Sequence, residues 1–177
     1  MGLFGKIKKS MGVGTISFDL NVPGQIIGSS GTLEGDILLK AKSEQQVKDV
    51  EVVFERIYTW DERENYYNST TKQNDTRWTQ RSNTVELGRF VDKTEFTMAT
   101  DEEKTIHFVI SFQPITGAES TGNDNVMWDI LDSALFNGNS IFGSSMRNQR
   151  IEYKVSGDVD LEDVAFDKGD SKKVVVI

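Results

Sequence analysis

The sequence predicts an all-β fold, an antiparallel, immunoglobulin-like β-sandwich of about seven to nine strands, and three observations carry that expectation. Apolar residues recur at every second position in several separate runs, as strands with one face in a core and one in water require. Glycine, proline, asparagine and serine punctuate those runs, at intervals suited to turns. Between the strands one stretch, 114–149, exchanges the two-residue period for helical spacing, and it reads as an excursion carrying one short helix.

Each element follows from its own residues. Ile16, Phe18, Leu20 and Val22 alternate with Thr15, Ser17, Asp19 and Asn21 until Pro23-Gly24 turns the chain. Leu33, Ile37 and Leu39 then alternate with Glu34, Asp36 and Lys40. A longer strand runs from about 47 to 60, with Val50, Val52, Phe54, Tyr58 and Trp60 on one face and Asp49, Glu51 and Glu55 on the other. Arg56 interrupts the apolar face; a structural role suits it, either snorkelling to the sheet edge or pairing with an acidic neighbour. Residues 61–77 are almost wholly polar, so they read as a protruding hairpin tip. Strand character resumes over 78–90 and around Phe96 and Met98, and Ile106, Phe108, Ile110 and Phe112 form the cleanest alternation before Pro114 ends it.

Within the excursion, Asn123 or Asp124 caps a helix whose Met127, Ile130, Leu131, Ala134 and Leu135 recur at three and four. Asn137-Gly138 stops it, and a Ser/Gly/Asn-rich connector holding Ile141, Phe142 and Met146 leads back to the last strands. There Ile151, Tyr153, Val155, Val159 and Leu161 alternate with charged and small polar residues. Val174 to Ile177 form a last apolar strand that needs a neighbour if its edge is not to invite aggregation.

At 177 residues a single domain over 15–177 is expected, preceded by a basic amphipathic segment over 1–14. The absence of cysteine excludes disulfides and thiolate metal sites and is compatible with a reducing compartment. No run reaches the roughly 20 apolar residues of a membrane span, and the first residues do not resemble a secretory signal. The expectation is a cytoplasmic protein in which the acceptor patterns at Asn68 and Asn74 are coincidental. The net charge is −8, and since Lys6, Lys8 and Lys9 supply +3 the remainder carries −11. Nucleic acid is thereby excluded as a partner, for a duplex calls for a lysine- or arginine-rich face.

No residue set supports catalysis or a cofactor. The sole histidine, His107, shares the polar side of its strand with Thr105 and Ser111 and reads as solvent-facing or hydrogen-bonded. Asp158, Asp160 and Glu162 project at steps of about 6.8 Å, too wide to converge on a calcium ion even with Asp163, Asp167 and Asp170 nearby. No glycine-rich strand-to-helix fingerprint marks a nucleotide site.

Two stretches go beyond a generic sandwich. Over 50–113, VEVVFERIYTW, a polar tip, VELGRF and FTMATDEEKTIHFVISFQ occur in order, and VSGDVDLEDVAFDKGDSKKVVV spans 155–176. Both resemble the N-terminal half of the arrestin-like sporulation-control proteins of bacteria and, more distantly, arrestins and the arrestin-fold subunit of retromer; the opening from Phe4 to Gly14 is a weaker match. The resemblance implies an arrestin N-domain type of sandwich and a cytosolic, non-enzymatic regulatory or adaptor protein that binds through loops and strand edges, in control of sporulation or a related developmental or stress programme. Such proteins usually carry a second sandwich after a closing turn like Asp167-Lys168-Gly169-Asp170, and the first strand here lacks the paired lysines with which arrestins grip phosphorylated receptors.

Protein partners are therefore expected, with Tyr66 and Tyr67 of the hairpin tip and Trp128, Leu131, Leu135, Phe136 and Phe142 of the excursion as contact residues. Self-association through a strand edge is a further expectation. The alternative function is peripheral membrane docking: Leu3, Phe4 and Ile7 fall near one helical face beside Lys6, Lys8 and Lys9, each lysine contributing about 1 kcal/mol at an anionic surface.

Overall fold

A computed structural model describes residues 15–115, 146–162 and 168–177. The expected helix and the segment 1–14 lie outside the described residues. Nine strands are described: β1 Ile16–Asn21, β2 Gln25–Ile26, β3 Thr32–Ala41, β4 Gln45–Asn68, β5 Gln73–Asp92, β6 Phe96–Met98, β7 Glu103–Ser111, β8 Met146–Leu161 and β9 Lys168–Val176. They form a three-stranded sheet, β1-β3-β7, and a six-stranded sheet, β2-β9-β8-β4-β5 with β6 paired to β4. The fold is all-β, and antiparallel pairing predominates; the two-residue β2 pairs with β9 in parallel.

The described residues group into two compact units, one drawn from 15–55, 86–114, 153–162 and 168–177, the other from 56–85, 115 and 146–152. In the first, the alternation of the sequence becomes a two-layer core. Ile16, Leu20, Leu33, Ile37, Leu39, Ile106, Phe108 and Ile110 are buried on the inner face of the three-stranded sheet. Val50, Val52, Phe54, Tyr153, Val155, Val159, Val174 and Val176 are buried from the other sheet. Aromatic rings knit the layer: Phe54 meets Phe112 edge-on with centroids 5.1 Å apart and stacks on Tyr153 at 6.1 Å, while Phe90 of β5 lies 6.0 Å from Phe108 of β7. Fully burying one such side chain contributes about 1.5–3 kcal/mol, so this layer is the main stabiliser of the unit.

Strand β3 is the spine of its sheet. Asp36 lies opposite Asn21 of β1 and His107 of β7. Gly35 permits the close packing there, because a Cβ at that position would fall 2.6 Å from Cζ of Phe108 and 2.7 Å from the Asn21 carbonyl oxygen.

The last strand finds the neighbours its apolar residues demand. β9 pairs with β8 from Tyr153–Val174 to Val159–Lys168, and on its other side Val175 N–H donates to Gly24 O at 3.0 Å, Ile177 N–H to Ile26 O at 2.9 Å and Gly28 N–H to Ile177 O at 2.9 Å. A parallel two-residue bridge leaves no period in sequence, which is why β2 was not foreseeable from the pattern.

Candidate interaction surface

The second unit is built on residues 56–68 of β4, 73–85 of β5 and 146–152 of β8. The strand expected over 47–60 continues as β4 to Asn68, and β5 begins at Gln73, so the hairpin turn narrows to 69–72. Asn68 closes that turn with its own side chain: Oδ1 accepts from the Thr70 and Thr71 amides at 3.0 and 3.3 Å, and the Asn68 carbonyl accepts from Lys72 N–H at 2.8 Å. Asparagine favours this because its short amide imitates a backbone turn, and Lys72 takes a left-handed φ of 57°.

Cross-strand charge holds the polar ribbon where burial does not. The Glu64 carboxylate accepts from Thr79 Oγ1 at 2.9 Å and from the guanidinium groups of Arg77, at 3.4 Å, and Arg81. Arg81 also reaches Glu62 at 3.3 Å, and Tyr66 donates to Asp75 at 3.4 Å. The Thr79 hydroxyl first, then Arg81 and Arg77, hold the Glu64 carboxyl below the usual carboxylate range. These partners descend along β5 as they climb along β4, as antiparallel neighbours do. The ribbon buries one small cluster, Tyr58 against Trp60, Val85 and Ile151. Arg56 lies over the Tyr58 ring at 5.0 Å, so the cation in the apolar row is accommodated by an aromatic face.

Exposed aromatic groups are the ribbon's distinguishing chemistry. Tyr67 is 64% and Trp78 40% exposed. Arg147 of β8 sits 4.0 Å over the Trp78 ring and 3.8 Å from Asp61, which also accepts from Asn148 Nδ2 at 2.7 Å. Tyr66 is half-buried, with Arg77 over its ring at 5.4 Å. Tyr66 and Tyr67 lie in β4 and Trp78 in β5, all three on the ribbon. Sequence reasoning read Trp78 as the start of a strand, as it is, but did not count it among the exposed contact residues; its flanking Arg77 and Thr79 were the available signal. Trp128, Leu131, Leu135, Phe136 and Phe142, and Leu3, Phe4, Lys6, Ile7, Lys8 and Lys9, lie outside the described residues.

In the first unit a shallow groove of about 350 Å³ is lined by Asn21, Val22, Pro23, Glu34, Gly35, Asp36 and His107. His107 Nδ1 is 3.0 Å from Asp36 Oδ1, both side chains being well exposed, which is the hydrogen-bonded strand histidine of the sequence reading. Among the described residues no group of three or more His, Cys, Asp or Glu is arranged to hold a metal ion. Among them, too, no helix is long and apolar enough to cross a membrane.

Two sheets of largely antiparallel strands define an all-β sandwich class. No family model matches the chain, and no curated protein matches it. Among solved structures it is similar to the sporulation control protein Spo0M from Bacillus subtilis, with 14% identity and a TM-score of 0.44 over 92% of this chain and 48% of that one. The chain thus spans about half the length of that protein.

Proposed function

We propose that this chain is a non-enzymatic regulatory adaptor that acts in the cytosol through protein–protein contact, with the β4–β5 ribbon as its contact surface. The observation that carries this reading is the pair Tyr67 and Trp78, exposed on a ribbon fixed by ion pairs at Glu62 and Glu64. Tyrosine, tryptophan and arginine dominate binding hot spots because they bring large contact area with a polar handle. Holding them on a stiffened ribbon lowers the ordering entropy that association costs. Control of sporulation, or of a related developmental or stress programme, is supported by the sequence resemblance over 50–113 and 155–176. Fold analogy alone does not fix function, so the site decides.

Proximity labelling in the source cell, with the native chain beside Tyr67→Ala/Trp78→Ala, tests the reading. Loss of the proteins enriched by the native chain, at an unchanged melting temperature, is the expected outcome. An identical labelled set from both forms would refute it.

A further inference from the structure

We infer that the outer edge of β7 is a self-association surface, at which a second copy of this chain adds its own β7 antiparallel to continue the three-stranded sheet. The inference is independent of the ribbon. The registers decide which backbone groups face outward. Phe112 N–H donates to Gly31 O, and β3 meets β7 with Leu33 opposite Ile110 and Ile37 opposite Ile106. Alternation then turns Lys104, Ile106, Phe108 and Ile110 toward β3, and the N–H and C=O groups of Thr105, His107 and Val109 away from it. Among the described residues no strand pairs with that side.

The other candidate edges are less suited. β1 is six residues long, and its outward Leu20 N–H already donates to Asp170 Oδ2 at 3.4 Å. β2 has two residues and runs into the turn at Gly28–Ser30. β5 approaches the C-terminal half of β7 without pairing with it: a Cβ on Gly88 would lie 2.7 Å from the Ser111 carbonyl oxygen, and Phe90 packs on the inward-facing Phe108. Among the described residues the central stretch of β7 has no strand paired on that side, and it lacks proline and any bulge in its register, the features by which edges are ordinarily blunted.

A second copy fits because the strand complements itself. His107 is the midpoint of Glu103–Ser111, so a two-fold axis there pairs the whole strand, with Thr105 opposite Val109 of the second copy and Ile106 opposite Phe108. Glu103 faces Ser111 and Lys104 faces Ile110, so no like charges meet. On the outer face, Leu38 and Val109, 47% and 45% exposed, come into one cross-strand row, because Leu38 neighbours Thr105 and Thr105 would neighbour the second Val109. A foreign strand has no such built-in register.

Sedimentation equilibrium of the full chain over a concentration series should give the mass of two chains. Thr105→Lys/Val109→Lys sets lysine against lysine across the axis and should weaken dimerisation about tenfold or more. Thr105→Lys/Val109→Glu sets lysine against glutamate at the same positions and should restore it, with circular dichroism confirming that both variants fold. A chain that stays monomeric at every concentration overturns the inference. So does a dimer indifferent to both substitutions, or one abolished equally by both.

Discussion

Substituting Gly35 by alanine probes how tightly the inner faces of the first unit interlock. The new methyl carbon would start 2.6 Å from Cζ of Phe108 and 2.7 Å from the Asn21 carbonyl oxygen, against an ordinary contact of about 3.5–4 Å. Neither neighbour retreats freely. Phe108 is 1% exposed and rests against Phe90 at 6.0 Å, and Asn21 belongs to the β1–β3 ladder, opposite Asp36. Overpacking of this kind costs about 1–3 kcal/mol, offset by about 0.4–1 kcal/mol from restricting the unfolded chain. A net loss of about 1–2 kcal/mol should lower the melting temperature by about 2–8 °C for a chain of this size. Urea denaturation is the direct assay, with the midpoint falling at an unchanged slope. Phe108→Leu in the Gly35→Ala background should recover part of the loss, since contacting sites couple. If Gly35→Ala is as stable as the native chain, the packing argument fails.

Two further outcomes follow from charge. Asp170 is bonded by Lys172 at 2.7 Å and accepts from the Ser171 and Leu20 amides; Lys172 first, then those amides, hold its carboxyl below the usual range. A depressed carboxyl pKa gives stability that is present above the unfolded value of about 3.9 and lost as pH falls through the lower folded value. Asp170→Asn should therefore cost stability at neutral pH and flatten the acid limb of the stability profile, and an acid limb identical to the native one would count against the bonding described. Removing residues 1–9 tests the membrane alternative: co-sedimentation with anionic liposomes should fall after truncation, and full retention would exclude that segment as the anchor.

The sandwich was legible because burial wrote itself into the chain. Ile106, Phe108 and Ile110, and Tyr153, Val155 and Val159, alternate in sequence and are buried in the structure. The ribbon was only half legible. Hydrophobic period signals a strand that packs on a core, whereas residues 61–68 of β4 and 73–77 of β5 are polar and bonded by charge across the pair, with Glu62, Glu64, Arg77 and Arg81 as partners, so they read as a polar hairpin tip and not as the continuation of two strands. His107 was placed on the solvent side by parity alone, yet its partner Asp36 lies 71 residues away in sequence, and only the register supplies it. Trp78 was read only as the start of resumed strand character, and it does lie in β5; its 40% exposure had no signal in the hydrophobic period.

The parallel bridge that joins Gln25–Ile26 to Val175–Val176 governs when the protein is able to mature. Strands 150 residues apart in sequence, Gln25 opposite Val175, must find each other, and contacts so remote close slowly because much loop entropy is lost before any reward arrives. During synthesis the first unit stays incomplete until residue 176 has left the ribosome. The nascent chain therefore carries β3 unmatched on its β7 side until residue 111 has emerged, and β2 without β9 until residue 176, the interval in which chaperone capture or premature pairing between neighbouring polysomal chains is most consequential.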